Sequence, residues 1–371
     1  MVTSLPATGG SRTTGLPSER HTVDSSPEVA HGEARDRRRL DGEPVVSRPG
    51  PPSPLKPSPL SATARTFLTC IATAVGASGC GGAAAPPSEP PEPPRIAVLA
   101  PLDLELAPFL GDASISERRT VAGQIHHLGE LAGHDVVLVR CGRSLVASAA
   151  ATQAVLDHHP VAAVVVSGIA GGIDPAHDVA DVVVPARWGQ YQEHVVARRA
   201  AEGFDAGPRR RGSTWESFGA FFSRPQRLTW QREGVDVDEM RFWFDADPRM
   251  LETVQRAVAS SALEQCAPDG RCAPKPPRLV TGGQGVSGNG FVDNADYRQW
   301  IWRTFEASAV DQETAAIAQV AYTNGTPFIA FRSLSDLAGG RDGPNQARQL
   351  ATLAAGNAAR ATLAFLEAWE E

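Results

Sequence analysis

The chain has 371 residues, with 35 lysines and arginines against 42 aspartates and glutamates, which gives a formal net charge of −7. The arginines are scattered, and the run Arg209-Arg210-Arg211 is too short for a nucleic-acid-binding surface, so no nucleic-acid partner is expected. Residues 1–60 are rich in Ser, Thr, Pro, Gly and Arg without apolar periodicity, which predicts a disordered N-terminal extension. The folded region then has roughly 275 residues, enough for one α/β core.

A short apolar segment follows the extension. Residues 66–78 are uncharged and too short to cross a bilayer as a helix, but they suit the apolar region of a signal peptide. They lead into Cys80, and Ala77-Ser78-Gly79-Cys80 resembles the lipobox of bacterial lipoproteins, in which the cysteine is lipidated. We therefore expect a lipoprotein-type signal segment at 61–80, a Pro-rich tether at 81–94, and export to a lipid-anchored position on a bacterial membrane. The alternative is a chance Ala-rich patch in a disordered tail.

The region 95–371 predicts alternating strands and helices. Short apolar runs are typical of buried strands, and alanine-rich or amphipathic stretches are typical of helices. In chain order the predicted elements are a strand at 96–100, a hairpin at 121–134 leading into a strand at 135–140, a helix at 144–158 capped by Ser144, strands at 161–166 and 181–185, a helix at 248–260, a strand at 279–281, a helix at 311–323, a strand at 327–332 and a helix at 345–369.

This order of elements predicts an α/β fold. Apolar strands that alternate with helices form a three-layer arrangement, in which a mainly parallel, mixed central sheet carries helices on both faces. Residues 203–277 interrupt the pattern as an enlarged, less regular segment that is rich in aromatic side chains. Those aromatics favour either a core or a contact surface in an oligomer.

The cysteines and histidines predict structural roles. Cys266 and Cys272 flank a turn-like loop that a local disulfide could close, and Cys141 is expected to be a buried thiol. No CxxC pair or histidine cluster has metal-ligand spacing, so neither a metal nor a cofactor is expected. Two pairs of histidines are adjacent in the chain, and their members point in different directions on a strand or diverge on a helix: His126-His127 and His158-His159.

Three segments follow predicted strands and carry residues suited to chemistry. They are Leu102-Asp103-Leu104-Glu105, Gly168-Ile169-Ala170-Gly171-Gly172, and Asp311-Gln312-Glu313 together with Ser335-Asp336. Ligands of such sheets bind beyond the carboxyl ends of the strands, where glycines allow close approach and carboxylates can exchange protons or hold sugar hydroxyls. Taken singly, the glycine segment also fits a tight turn and Asp336 also fits a helix cap.

Four motifs in this order resemble the nucleoside phosphorylase/nucleosidase superfamily, closest to the methylthioadenosine/S-adenosylhomocysteine nucleosidases. They are the opening strand and acidic loop at 96–105, the glycine segment at 167–173 followed by 179–185, the helix start Val310-Asp311-Gln312-Glu313-Thr314-Ala315-Ala316, and the strand end Arg332-Ser333-Leu334-Ser335-Asp336. The resemblance extends from Arg95 to the C-terminus, interrupted by residues 203–277.

The resemblance implies a role for each matching residue. Asp336 would protonate N7 of the departing purine, and Ser335 would orient that carboxylate. Glu313 would accept hydrogen bonds from the ribose 2′- and 3′-hydroxyls, while Glu105 would bind and activate the attacking water. The backbone around Ala170 and Gly171 would line the base and sugar site, so the implied ligand is a small-molecule nucleoside, and the implied assembly is a homo-oligomer.

The same comparison favours hydrolysis over phosphorolysis. Phosphorylases of this superfamily resemble the chain but place arginines in the opening loop and before the glycine segment, where this chain has Glu105 and Val166. A carboxylate repels a dianionic phosphate and suits water instead. We therefore expect an N-glycosidase that releases free purine base.

Some positions depart from the family pattern. Ile169 replaces a serine that positions the water, and Gln312 replaces a methionine near the ribose. By register, the residue that stacks on the purine is either Phe291 or Val286. The alternatives are a purine nucleoside phosphorylase and a nucleoside-binding lipoprotein without turnover. A dinucleotide-binding domain is disfavoured because the glycine segment does not read as G-x-G-x-x-G opening a helix.

Overall fold

The computed structural model describes residues 92–232, 234–257, 262–341 and 343–370. The predicted extension at 1–60, the signal segment at 61–80 with Cys80, and the tether at 81–94 as far as residue 91 lie outside these residues. Within the described ranges, no helix combines the length and apolar character needed to cross a membrane.

The described residues form the following strands and helices. The strands are β1 Arg95–Ala100, β2 Ser114–Val121, β3 Gln124–Leu131, β4 His134–Arg140, β5 Val161–Gly172, β6 Val182–Val184, β7 Arg187–Gln190, β8 His194–Val196, β9 Arg198–Arg199, β10 Phe204–Asp205, β11 Phe221–Ser223, β12 Gln226–Arg232, β13 Val235–Arg241, β14 Trp243–Asp245, β15 Leu279–Thr281, β16 Gln284–Ser287, β17 Ala307–Asp311 and β18 Phe328–Asp336. The helices are α1 Asp103–Asp112, α2 Leu145–His158, α3 Pro248–Ala257, α4 Ala295–Phe305, α5 Thr314–Asn324 and α6 Ala347–Ala368, with a 3₁₀ turn at Gly207–Arg210.

The central sheet is mixed and mainly parallel, as predicted. Its main path runs β14-β7-β16-β17-β5-β1-β4-β3-β2, and β18 pairs with β5 and β6. The parallel pairs β1–β4, β1–β5 and β5–β18 lie at its centre. Because these strands are parallel, their carboxyl ends meet at one edge of the sheet, and this edge carries the site described below.

Helices cover both faces of the sheet and give the predicted three layers. On one face, α2 and α5 pack through residues such as Val155 and Ile317 against the inward side chains of β1 and β5. On the other face, α1, α3 and α6 contribute Phe109, Met250 and Phe365 to a second buried cluster. The central strands, such as β1 and β4, are largely apolar because both of their faces are buried.

Strand β5 is longer than predicted. The apolar run was expected to end at Val166, and a tight turn was one of the interpretations for Gly168–Gly172, but the strand continues through Gly172 for 12 residues. The glycine segment is therefore extended backbone that pairs with β18 on one side and, at its end, with β17 on the other. Interstrand hydrogen bonds, supplied by partners distant in sequence, override the turn tendency of glycine.

Other elements also differ from the sequence prediction, among them two helices. Helix α5 begins at Thr314 and not at 311, because Asp311 is the last residue of β17. Helix α4 was not predicted; its aromatic-rich sequence begins at Asn294, whose side chain accepts a hydrogen bond from the Tyr297 N–H at 2.8 Å. The cap marks the start of the helix, and the buried Trp300, Ile301 and Phe305 have helical spacing. This spacing is hard to recognise in a sequence with so many aromatic residues.

The cysteines and histidines have structural partners. Cys266 and Cys272 form a disulfide, and Cys141 is a buried free thiol whose pKa is raised by burial. The His126 and His159 rings are buried and meet with Nδ1 and Nε2 2.9 Å apart. Burial first, and then the neighbouring histidines, lower the pKa of His126 to about 4, so His126 is neutral at physiological pH, and burial also lowers the pKa of His159.

Candidate active site

A cavity of about 480 Å³ opens at the carboxyl ends of β1, β5, β17 and β18. It brings together all three predicted strand-end segments, although they are more than 60 residues apart in the chain. Its lining consists of Pro101, Leu102, Glu105, Arg143, Ile169, Ala170, Gly171, Gly290, Phe291, Val292, Val310, Asp311, Gln312, Glu313, Ser335, Asp336, Asn345, Ala347, Arg348 and Ala351.

Glu105 lies in the first turn of α1, and two backbone N–H groups hold its carboxylate in place. One carboxylate oxygen accepts a hydrogen bond from the Leu102 N–H at 2.6 Å, and the other accepts one from the Ile169 N–H at 2.8 Å. Burial raises the pKa of this carboxyl from 4.5 to about 7, against the opposing effect of the Arg332 guanidinium and the two N–H groups. A carboxyl with a pKa near neutrality can take a proton from water and return it.

Glu313 lies where β17 passes into α5. Its carboxylate accepts a hydrogen bond from the Ser144 N–H at 3.3 Å and pairs with the Arg332 guanidinium at 3.4 Å. Burial raises its pKa, Arg332 lowers it, and the nearby carboxylates Asp311 and Glu105 raise it further. Glu105 and Glu313 therefore both have a raised pKa, and the Glu105 carboxylate contributes to the raised pKa of Glu313. The two titrate as a coupled system, in which the protonation of one depends on that of the other.

Asp336 is the last residue of β18, and its buried carboxylate is surrounded by hydrogen-bond donors. One carboxylate oxygen accepts hydrogen bonds from the Ser335 hydroxyl at 2.9 Å, and the other accepts from the Ala338 N–H at 2.8 Å and from the Asn345 side chain at 3.4 Å. Burial raises the pKa of Asp336, although these three donors lower it. The Ser335 hydroxyl also approaches the Ala170 carbonyl at 3.3 Å, which connects Asp336 to β5.

Arg332 organises the floor of the cavity. The side chain is fully buried, and its guanidinium lies 2.9 Å from the Asp311 carboxylate and donates to the Ile169 carbonyl at 3.2 Å. Asp311 also accepts from the Glu313 and Thr314 N–H groups at 3.2 Å each, so it caps α5. Arg332 and Asp311 therefore fix Glu313 and the end of β5 relative to each other.

The glycine segment lets these groups approach the backbone. A Cβ on Gly168 would lie 2.4 Å from Nη1 of Arg332 and 2.7 Å from Oε1 of Glu105. A Cβ on Gly171 would lie 3.3 Å from the Asp336 carboxylate. The absence of a side chain at 168 is therefore what allows the Arg332 guanidinium and the Glu105 carboxylate both to lie close to the strand.

The predicted substrate-contacting residues separate into two groups. Ile169, Ala170, Gly171, Gln312 and Phe291 line the cavity, and Phe291 is 63% exposed there. Val286 does not line it, because its side chain is fully buried in the core beside Val310. Of the two residues that were expected by register to stack on the base, the structure thus places only Phe291 at the cavity.

Sequence reasoning left some residues in the cavity lining or directly beneath it without a role. Arg332 was quoted in a motif but not assigned; a lone arginine inside the apolar strand Phe328–Asp336 is a signal that could have singled it out. Asn345 contacts Asp336 from a segment without a recognisable pattern. Arg143 and Arg348 also line the cavity, and single arginines next to helix starts carry no signal in a sequence rich in arginine.

Curated relatives share this domain. The chain is 29% identical over 275 residues to the 5′-methylthioadenosine/S-adenosylhomocysteine nucleosidase of Tolumonas auensis, an alignment that covers 74% of this chain and 99% of that protein. It is 26% identical over 246 residues to the protein of the same name from Bacillus cereus, covering 66% of this chain and 87% of the relative. These values support the predicted resemblance.

Solved structures share the fold. A 5′-methylthioadenosine/S-adenosylhomocysteine nucleosidase from Colwellia psychrerythraea, in complex with adenine, is 25% identical, with a TM-score of 0.55 and coverage of 73% of this chain and 93% of that one. Futalosine hydrolase from Helicobacter pylori is 18% identical, with a TM-score of 0.56 and coverage of 74% and 97%. At that lower identity the likeness concerns the fold alone.

The expectation of an exported, lipid-anchored protein is wrong. The 275 residues aligned with the Tolumonas nucleosidase account for 99% of that relative, so it corresponds to the folded domain and supports neither a signal segment nor an anchor before it. The stretch at 66–78 resembled a signal peptide by its small, uncharged composition, which alanine-rich segments share without being targeted. Cys80 is accordingly not retained as a lipidation site, nor is the nucleoside-binding lipoprotein.

The sequence model of the phosphorylase superfamily matches residues 95–367, nearly the whole of the region that the motifs singled out. The match, the shared fold and the convergence of the predicted carboxylates in one cavity agree with one another. The chain belongs to the phosphorylase superfamily.

Proposed function

We propose that the protein hydrolyses the N-glycosidic bond of a purine nucleoside and releases the free base and the sugar. The observation that carries this proposal is that Glu105, Glu313 and Asp336 line one cavity while being only 2%, 5% and 3% exposed. The curated relatives are named for this reaction class. Such a cleavage passes through a cationic, oxocarbenium-like sugar, and buried carboxylates stabilise that charge.

Asp336 supplies the proton to the leaving group. When the C1′–N9 bond breaks, its electron pair goes to the purine, and protonation of N7 by the carboxylic acid neutralises the departing base. Burial favours the protonated form of Asp336, and the Ser335 hydroxyl and the Ala338 N–H hold the group in place. A well-positioned general acid contributes roughly 10²–10⁴-fold to the rate.

Glu105 activates the water. The oxygen of water bonds to C1′ as one of its protons passes to the Glu105 carboxylate, so that one water is added across the bond. Because both oxygens of Glu105 already accept backbone N–H bonds, the carboxylate has a fixed orientation before substrate enters. The side chain of Ile169 cannot hold the water, but its N–H orients Glu105.

Glu313 holds the ribose. Its carboxylate carries only long contacts, 3.3 Å to the Ser144 N–H and 3.4 Å to Arg332, and these leave acceptor positions for the 2′- and 3′-hydroxyls. An anion beneath the sugar also stabilises positive charge at C1′.

The site favours water over phosphate as the nucleophile. Arg332, buried beneath the three carboxylates, is committed to Asp311, Thr314, Glu313 and the Ile169 carbonyl. In addition, the ionised Glu105 carboxylate would repel a phosphate dianion that entered the cavity. Phosphorolysis is the second candidate, because the family model that matches the chain is that of the phosphorylase superfamily.

The test is base release by the full-length protein. Methylthioadenosine, adenosine and inosine are incubated in phosphate-free buffer, and free adenine or hypoxanthine is quantified by chromatography. We expect release without phosphate, and a loss of about 10²-fold or more in kcat/KM for Asp336→Asn. Asp112→Asn, the same change at an exposed aspartate at the end of α1 and outside the cavity lining, is the matched control and should keep the wild-type rate. Release that requires phosphate would contradict the hydrolase, and binding without release would contradict an enzyme.

A further inference from the structure

Two arginines of the cavity take no part in the proposed chemistry. Arg143 lies in the connection between β4 and α2, and Arg348 lies in the first turn of α6. Both are exposed, whereas Glu105, Glu313 and Asp336 are buried, so the carboxylates form the floor of the cavity and the arginines lie at its mouth. Among the described residues, neither guanidinium has a hydrogen bond or an ion pair.

Arg143 and Arg348 are each close in the chain to a residue that contacts one of the buried carboxylates. Arg143 precedes Ser144, whose N–H contacts Glu313 at 3.3 Å, so Arg143 adjoins the proposed ribose site. Arg348 follows Asn345, which contacts Asp336 at 3.4 Å, and Ala347 and Ala351 of the same helix also line the cavity. The start of the long helix α6 therefore faces the mouth and adds its positive end to the two guanidinium charges.

The part of a nucleoside that reaches this mouth follows from the proposed function, on which this inference rests. If Asp336 engages the base, Glu105 faces C1′ and Glu313 holds the 2′- and 3′-hydroxyls, the C5′ substituent is the remaining part of the sugar. The buried floor is taken up by the base and the rest of the sugar, so this substituent lies toward the mouth of the cavity, where Arg143 and Arg348 are.

We propose that the substrate is a purine nucleoside whose 5′ substituent ends in an anionic group, a carboxylate or a phosphate, bound by Arg143 and Arg348. The planar guanidinium fork matches the oxygens of either group and binds it through two parallel hydrogen bonds. A neutral 5′ substituent would leave both charges without a partner. The small side chains of Ala347 and Ala351 leave room for a substituent larger than a hydroxyl.

The experiment compares substrates that differ at C5′. Full-length protein is assayed for adenine release from adenosine 5′-monophosphate and from the 5′-carboxylate of adenosine, and from the neutral adenosine and methylthioadenosine. We expect a higher kcat/KM for at least one anionic substrate than for both neutral ones. In Arg143→Gln/Arg348→Gln the ratio of anionic to neutral kcat/KM should fall about 10-fold or more.

Arg140→Gln is the matched control. Arg140 is an exposed arginine at the end of β4, paired with Asp103 and absent from the cavity lining, so this variant should keep the wild-type ratio. Arg143→Glu should reverse the preference toward neutral substrates, and far-ultraviolet circular dichroism checks that each variant is folded.

The outcomes separate this inference from the proposed function. Adenine release that is fastest from the neutral substrates, with a ratio unchanged in the double variant, would overturn the anionic substrate and leave the nucleosidase intact. No release from any of the four substrates would count against the nucleosidase itself. Release from neutral substrates only when inorganic phosphate is added, with a phosphate KM raised in the double variant, would assign the arginines to phosphate and overturn both.

Discussion

At the scale of single residues, the site depends on carboxyl groups that are buried but not isolated. Glu105 has two backbone donors, Asp336 has a hydroxyl, an amide and a backbone N–H, and Glu313 has Arg332. Burial raises the pKa of each carboxyl, and these partners limit the rise. A carboxyl without partners would stay protonated, and a fully solvated one would always be charged. The intermediate setting suits proton transfer near neutral pH.

This setting predicts how activity changes with pH. Glu105 must be ionised to accept a proton from water, and its pKa is raised to about 7, so kcat/KM should rise as pH increases through about 7. Asp336 must be protonated to act as the acid, and burial raises its pKa as well, so the loss of its proton should lower kcat/KM toward high pH. The measurement is kcat/KM for base release as a function of pH.

Two variants serve as references for the pH profile. Asp103→Asn changes an exposed carboxylate on the same helix as Glu105 and should keep the acid limb. Glu105→Gln should lose most activity, and its residual rate should lack that limb. A wild-type profile that is flat from about pH 5 to about pH 8 would rule out Glu105 as the base.

At the scale of elements, the sequence indicated the individual strands and helices better than the places where they join. Buried strands such as β1 follow from apolar runs, and α2 follows from its alanines and the Ser144 cap, whose hydroxyl accepts from the Ala147 N–H at 3.3 Å. The extension of β5 through Gly172 did not follow, because its pairing with β17 and β18 involves residues more than 130 positions away. Local propensity contains no information about such partners.

The glycine in the middle of β5 offers a test of this packing. In Gly168→Ala the new Cβ would overlap Nη1 of Arg332, and that guanidinium cannot move aside because Asp311 and the Ile169 carbonyl hold it. We expect a loss of about 1–3 kcal/mol in the free energy of unfolding, measured with urea, and a fall in kcat/KM because Glu105 is displaced.

Gly111→Ala is the matched control. Gly111 lies in α1, is exposed, and has no heavy atom within 4 Å of an added Cβ. Alanine there should leave kcat/KM unchanged and stabilise the protein by up to about 1 kcal/mol through helix propensity. Equal effects of the two substitutions would show that the contact at Gly168 is unimportant.

The disulfide makes a second prediction at this scale. Cys266 and Cys272 close a short loop within the enlarged segment, so replacing both by serine should destabilise the protein by about 2 kcal/mol through the entropy of the unfolded chain. Thermal melts with and without a reducing agent measure the effect. The reductant should lower the melting temperature of the wild type and not that of the double variant; a wild-type melt insensitive to reductant would contradict a stabilising disulfide.

At the scale of the whole molecule, the fold brings distant segments into one site. The alternation of strands and helices predicted the layered sheet, and the motifs identified Glu105, Glu313 and Asp336, because residues at the ends of parallel strands converge. The organisation of residues 203–277 did not follow from the sequence. Its aromatics Trp215 and Phe218 pack against Trp300 and Phe305 of α4, a helix that was itself not predicted.

The central claim is that these three carboxylates cleave an N-glycosidic bond with water. The most direct measurement is mass spectrometry of the sugar released from a purine nucleoside in ¹⁸O-labelled water, with inorganic phosphate present. Hydrolysis predicts free base and a sugar that carries ¹⁸O at C1. A sugar 1-phosphate without the label, or a nucleoside that remains intact, would contradict the account.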